Sequence, residues 1–172
     1  MGIGEVAGED FGGYNGQAYS PAGDKGRFVL PPQFRKVVKE SSDGKAVLCL
    51  AKHDRWNCLT GFGCSRVNDF AAQIDREEML AVQAGKEFDR DMRSMQLYGF
   101  QEVPFDGSGR FVMPDHLQAL AKIGDQAYFQ GAGAFFTVWS PDELAGMGAG
   151  WESAQAACAS MAAREQTKAR KE

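Results

Sequence analysis

The feature that most constrains this chain is a phrase it states twice. Residues 23–31 read Gly23-Asp-Lys-Gly-Arg27-Phe-Val-Leu-Pro31, and residues 106–114 read Asp106-Gly-Ser-Gly-Arg110-Phe-Val-Met-Pro114. The two arginines stand 83 residues apart. At the same spacing Gly16 meets Gly99, Pro21 meets Pro104, Phe34 meets Leu117, Val37 meets Leu120 and Lys39 meets Lys122. Farther on, Ala46–Ala51 and Asn57–Phe62 find counterparts in Ala127–Gln130 and Phe135–Trp139, with the spacing drifting down to 77. Chance supplies one short match far more readily than ordered flanks on both sides of it. The chain therefore reads as two copies of one module, the second with shorter loops.

Local signals give each copy the same element order. Gly26 and Gly109, one residue before each arginine, suit a backbone position with φ above zero. A strand is expected near Gly16–Ser20, and Phe28–Leu30 and Phe111–Met113 read as short strands. Pro31 and Pro114 stop those strands and pre-set φ for a helix start. Phe34, Val37 and Val38, then Leu117, Leu120 and Ala121, follow at the spacing of a buried helical stripe. Each copy closes on an apolar strand pair, Ala46–Ala51 with Asn57–Phe62 and Ala127–Gln130 with Phe135–Trp139. Between the copies Val67, Phe70, Ala71 and Ile74 form one helical stripe, Gly85 a break, and Phe88, Met92 and Met95 a second stripe ending at Leu97. Ser140-Pro-Asp-Glu143 fits a capping box, and Trp151 to about Lys168 an Ala-rich helix. The expected division is a flexible tail at 1–13, a first repeat at 14–64, a helical insert at 65–97, a second repeat at 98–140, and a C-terminal helix and tail at 141–172.

Composition removes several function classes. A chain of 172 residues suits one domain or a fused pair of small ones, and its 44% apolar and 24% charged content is that of a globular protein. The cysteines at 49, 58, 64 and 158 include no Cys-x-x-Cys pair, and His53 and His116 lack partners at metal-ligand spacing. No metal site or cofactor is expected, and the cysteines read as reduced thiols of a cytosolic protein. No Ser-His-Asp or Cys-His set or phosphate loop appears, and Gly131-Ala-Gly133 lacks the context of one, so the chain does not read as an enzyme. The N-terminus has neither the basic start nor the apolar core of a signal peptide, and no run approaches the roughly 18–20 apolar residues of a membrane span. The net charge of −4 counts against a simple nucleic-acid binder. Its distribution counts the other way: Lys25, Arg27, Arg35, Lys36 and Lys39 lie close together against Asp24 alone, while acids concentrate in Asp75–Glu78 and Glu87–Asp91.

The doubled Asp-x-x-Gly-Arg-x-x-x-Pro loop, the interposed helical pair and the Trp-ended strand Phe136-Thr-Val-Trp139 resemble the MraZ family of bacterial transcription regulators. The resemblance covers roughly residues 16–150. It implies an α+β fold of two tandem AbrB-like swapped-hairpin β-barrel modules in a pseudo-two-fold arrangement, with a helical pair between the repeats and a C-terminal helix. It further implies a regulator that binds double-stranded DNA at short promoter direct repeats and represses its own division and cell-wall gene cluster. Such a protein assembles into a ring-shaped homo-oligomer, is cytoplasmic and nucleoid-associated, and turns its loop arginines to DNA. Two departures stand out. The family's Asp, four residues before the arginine, falls on Gly23 in the first copy, with Asp24 one place late. Gln118 stands in the second copy where Arg35 stands in the first.

Arginine suits the implied task, because its planar fork pairs with guanine O6 and N7 or clamps a phosphate. The expected DNA contacts are Arg27 and Arg110, with Lys25 on phosphate and Arg35 and Lys36 at the first helix start. Asp24, Gly26, Asp106 and Gly109 are the expected loop-shaping residues. Read from the residues alone, Arg27 and Arg110 serve equally as turn residues paired with Asp24 and Asp106, and Lys36 and Lys39 as a solvated helix face. Phe135, Phe136 and Trp139 read as core, and the histidines as incidental, although His116 follows the second loop closely. The competing function is a non-DNA-binding oligomeric interaction or scaffold protein, which the acidic pI near 5.3 favours. Loop one is expected to supply more charge, and loop two the better-ordered arginine.

Overall fold

Each copy of the repeat lays down strand, arginine loop, short strand, helix and hairpin in that order. The computed structural model describes residues 13–171, so residues 1–12 of the expected tail lie outside the described residues. The first copy holds β1 (Gln17–Pro21), β2 (Phe28–Val29), α1 (Pro32–Ser41), β3 (Val47–Lys52) and β4 (Leu59–Phe62). A 3₁₀ turn, Cys64–Asp69, leads into α2 (Phe70–Gln83) and α3 (Arg90–Tyr98). The second copy holds β5 (Gln101–Pro104), β6 (Arg110–Phe111), α4 (Asp115–Leu120), β7 (Gln126–Gly131) and β8 (Phe136–Trp139), followed by α5 (Pro141–Ala145) and α6 (Glu152–Lys171). The chain is thus α+β, with antiparallel sheets.

The two copies share their sheet. β3 pairs with β4 and β7 with β8 as hairpins, but β1 pairs with β7 and β5 with β3, so each copy hands its first strand to the other. The six-stranded order β1-β7-β8-β4-β3-β5 reads the same from either end once the copies are exchanged. Thr60 faces its own counterpart Thr137 at the centre of that sheet. Phe28 faces its counterpart Phe111 in the separate two-stranded ribbon β2-β6. These self-facing pairs mark a pseudo-two-fold axis through the molecule.

The core follows the sheet in belonging to both copies. Phe28, Leu30 and Phe34 of the first and Phe111, Met113 and Leu117 of the second are buried in one cluster. The Phe28 and Phe111 rings lie 6.3 Å apart, and Phe34 stacks on Phe136 at 4.9 Å. Burying each such side chain contributes about 1.5–3 kcal/mol, and either copy alone would leave much of that surface wet. The short strands are one residue shorter than expected from sequence, and β6 begins at Arg110. Leu30 leaves the ribbon ladder, its N–H donating to the Gly109 carbonyl at 2.8 Å, and Pro31 follows with no N–H to give.

The insert departs further from its expected pattern. Val67 falls in the 3₁₀ turn, and α2 buries only Phe70 and Ile74. Met79, Leu80 and Val82 of α2 and Met92, Met95 and Tyr98 of α3 are exposed, so of the two readings of the methionine stripe, core or subunit interface, the first does not hold within this chain. Ion pairs close the hairpin: Arg93 to Glu77 at 2.6 Å and to Asp54 at 2.8 Å, and Arg90 to Asp75 at 2.8 Å. Gly85 breaks it at φ +68°. Ser140 caps α5, its hydroxyl accepting the Glu143 N–H, with Pro141 at the first helical position. α6 packs on β1 and over a cluster of Trp56, Trp139 and Trp151. Among the described residues no helix is long and apolar enough to cross a membrane.

Candidate nucleic-acid interface

Strand alternation places the arginines. Successive side chains on a strand point to opposite faces. With Phe28 and Phe111 turned into the core, the ribbon turns Arg27 and Val29, and Arg110 and Val112, the other way. Val29 pairs directly with Arg110 across the ribbon. Arg27, Val29 and Arg110 consequently share the wall of one surface concavity of about 480 Å³, together with Asp24 and the Tyr19–Pro21 edge of β1. The structure thus brings together two arginines that the sequence separates by 83 residues. Val29 and Val112, 38% and 60% exposed, are apolar members of this face that sequence reading missed. The period-two alternation around each buried Phe was the available signal.

Loop two is anchored by its carboxylate. Asp106 Oδ1 accepts the Ser108 and Arg110 N–H groups, each at 2.9 Å, and Oδ2 accepts Arg110 Nε at 2.8 Å. The Arg110 backbone N–H is the main cause holding this carboxyl below the usual range, with the Arg110 side chain and Ser108 N–H adding to it. Only Nε of Arg110 is engaged among the described residues; the two terminal amino groups of the fork have no hydrogen-bond partner there, and the side chain is 47% exposed. Gly109 sits at φ +86° and supplies the turn.

Loop one is built differently. Gly23 stands where Asp106 stands, so no side chain gathers the loop N–H groups. The Asp24 carbonyl, not its carboxylate, accepts the Arg27 N–H and Nε, both at a long 3.3 Å. Lys25 adopts φ +60° and Gly26 φ +68°; the first is a left-handed position that costs a non-glycine residue on the order of 1–2 kcal/mol. Among the described residues neither the Lys25 nor the Arg27 side chain has an ion-pair partner, and Lys25 is exposed.

Arg35 stands in the first turn of α1, as expected, and makes a contact that the sequence does not announce. Its guanidinium folds across to loop two, donating to the Leu30 carbonyl at 3.1 Å and toward the Gly107 carbonyl at 3.5 Å. It packs so tightly on Gly109 that a Cβ there would lie 2.5 Å from its Nη2. Gln118, the counterpart of Arg35, donates instead to the Gly124 carbonyl at 3.1 Å and gives loop one no such cover. Lys36 is exposed on α1, outside the concavity. His53 does not line the arginine concavity; it stacks on Trp56 at 4.7 Å, its Nδ1 accepting the Arg55 N–H at 3.0 Å. His116 lines a groove between the helical insert and the sheet.

No family model matches the chain. Among curated proteins it is 31% identical over 118 residues to the transcriptional regulator MraZ of Roseiflexus castenholzii, spanning 69% of this chain and 74% of that one. It is 30% identical over 127 residues to the MraZ of Rhodospirillum rubrum, spanning 70% and 74%. It is 28% identical over 134 residues to that of Parvibaculum lavamentivorans, spanning 77% and 78%. The duplicated loop, the shared sheet and these relatives converge: the chain belongs to the MraZ family of transcriptional regulators.

Proposed function

We propose that this regulator binds duplex DNA through the ribbon face that carries Arg27 and Arg110. The observation that supports this reading most directly is their meeting on one concave, solvent-facing wall with no acid engaging the terminal nitrogens of either side chain among the described residues. Lys25 extends the face with a phosphate contact. The exchanged first strands and the self-facing Phe28–Phe111 ribbon are the features an AbrB-like swapped-hairpin fold would have. The exposed methionine, leucine and valine side chains of α2 and α3 support self-association into a ring, which would gather many loop pairs on tandem sites. On this reading the protein acts in the cytoplasm at the nucleoid. It binds short direct repeats upstream of its own gene and represses a division and cell-wall cluster; it is not an enzyme.

The test is binding to the DNA upstream of its own gene across a salt series. Arg27→Ala and Arg110→Ala are each expected to weaken binding by about 1–3 kcal/mol and, where the contact is to phosphate, to lower the salt slope by about one. Wild-type binding by correctly assembled variants refutes the reading. The oligomeric scaffold function then takes its place, supported by the acidic pI and the apolar helical pair.

A further inference from the structure

The thiols of Cys49 and Cys64 face each other with their sulfurs 3.9 Å apart, on the side of the sheet that α2 covers. The ladder explains the meeting. Cys49 on β3 pairs with Phe62 on β4, and Cys64 follows two residues later on the same face. Cys49 is fully buried between β4 and β5, whereas Cys64 is partly open to solvent. A second observation singles out the spot. The Tyr14 side chain is 4% exposed, and its hydroxyl has no hydrogen-bond partner among the described residues. That hydroxyl sits in the field of Cys49, Cys64 and Arg66, by the Gly63 backbone. Buried hydroxyls nearly always find partners, and the polar group that bears on this one is the Gly63 backbone beside Cys64, which leaves its own proton free to donate. Arg66 lies over the Phe70 and Phe135 rings, at 5.6 and 5.5 Å, and its positive charge acts on the Tyr14 hydroxyl.

We propose that Cys64, Cys49 and Tyr14 form an oxidant-sensing modification site that a hydroperoxide converts to a Cys49–Cys64 disulfide. The Cys64 thiol gives up its proton, and its sulfur attacks one peroxide oxygen. An S–O bond forms, the O–O bond breaks, and the other oxygen leaves as water or alcohol; sulfur is oxidised and peroxide reduced. The Cys49 sulfur then attacks the Cys64 sulfur. The S–S bond forms, the S–O bond breaks, and the hydroxyl departs with the Cys49 proton as water. Tyr14 donates a hydrogen bond to the oxygen on Cys64 and to the leaving hydroxyl. The order is set by access, since only Cys64 meets solvent. Burial first, and then the charge of Cys64, push the Cys49 thiol up to about 12. Closing the sulfurs to about 2.05 Å moves the Gly63–Ser65 turn, because β3 is held on both sides. That turn is tied to the end of α1, the Cys64 N–H donating to Ser42 Oγ at 3.1 Å.

The site stands apart from the arginine face, and its test needs no DNA. The reduced full chain is treated with stoichiometric hydrogen peroxide near neutral pH, quenched, unfolded, alkylated and digested for mass spectrometry. The expected product is a Cys49–Cys64 linked peptide lighter by two hydrogens, with Cys58 and Cys158 alkylated. In Cys49→Ser, Cys64 is expected to accumulate sulfenic acid that dimedone tags far more strongly than in the wild type. Tyr14→Phe is expected to slow disulfide formation about two- to tenfold, the worth of one neutral hydrogen bond. Recovery of all four thiols, a linkage through Cys58 or Cys158, or a bridge between chains overturns the proposal. Should Cys49→Ser fail to fold, Cys64→Ser alters only a partly open position. Oxidation of Cys49 in that variant would overturn the proposed order.

Discussion

Arg35 offers the sharpest separation between holding a loop and touching DNA. Replacing it by Ala removes a donor to the Leu30 carbonyl at 3.1 Å and a weaker approach to the Gly107 carbonyl at 3.5 Å, and uncovers Gly109. A hydrogen bond from a charged donor contributes about 1.5–3 kcal/mol when fully desolvated. Arg35 is only half-buried and water can replace it on one side, so the expected loss of stability is about 1–2 kcal/mol, read by urea unfolding. Promoter binding should weaken through disorder of loop two, with the slope of log affinity against log salt unchanged. Arg27→Ala should do the reverse, with near-native stability and a slope smaller by about one for each phosphate it no longer neutralises. Arg35→Lys separates the two further. A lysine keeps the charge but not the fork, so it should restore neither stability nor affinity. The reasoning is refuted if Arg35→Ala leaves stability intact and lowers the salt slope, or if Arg35→Lys binds DNA like wild type.

The two loop glycines should respond unequally. Gly26→Ala, at φ +68° with nothing within 4 Å, should cost only the left-handed strain of about 1–2 kcal/mol. Gly109→Ala should cost that and also displace Arg35, and a double-mutant cycle with Arg35→Ala should show coupling, whereas additive losses would exclude the contact. A separate expectation concerns acid. Burial, opposed in part by Asp54, lowers the His53 imidazole below its ordinary 6.5. The unfolded chain then takes up this proton at higher pH than the folded one. The stabilisation is present above about pH 6.5 and is lost as pH falls toward the lower folded value. Urea midpoints should decline over that window and stay flat in His53→Gln.

The arginine loops were legible because their constraints are local: a glycine for the turn, an Arg-Phe-Val alternation and a proline stop. The exchange of β1 and β5 was not. A first strand from either copy carries nearly the same pattern, so either fits the slot beside β3 or β7, and only the whole chain decides. The β3-β4 and β7-β8 hairpins were legible because short turns code them. The contact of Arg35 with loop two was hidden for a similar reason. One helical turn after a proline it reads as part of a basic helix face, and nothing near it in sequence announces Gly109. The anchor of loop one shows the opposite case. Asp24 stands three residues before Arg27 rather than four, and with that single step its carbonyl accepts the Arg27 N–H, where in loop two the Asp106 carboxylate accepts that of Arg110.

The self-facing pairs on the pseudo-axis relate two halves whose tips are no longer alike. A binding face with true two-fold symmetry is indifferent to being turned end for end, and it matches a palindrome. Here one tip carries a loosely held arginine beside an exposed lysine, and the other an arginine clamped by a carboxylate in a loop that Arg35 of the first copy covers at Gly109. On the DNA-binding reading each subunit therefore has a head and a tail along the duplex. Successive subunits arranged head to tail would match sites that repeat in one direction, because the chain that joins the halves also let them diverge.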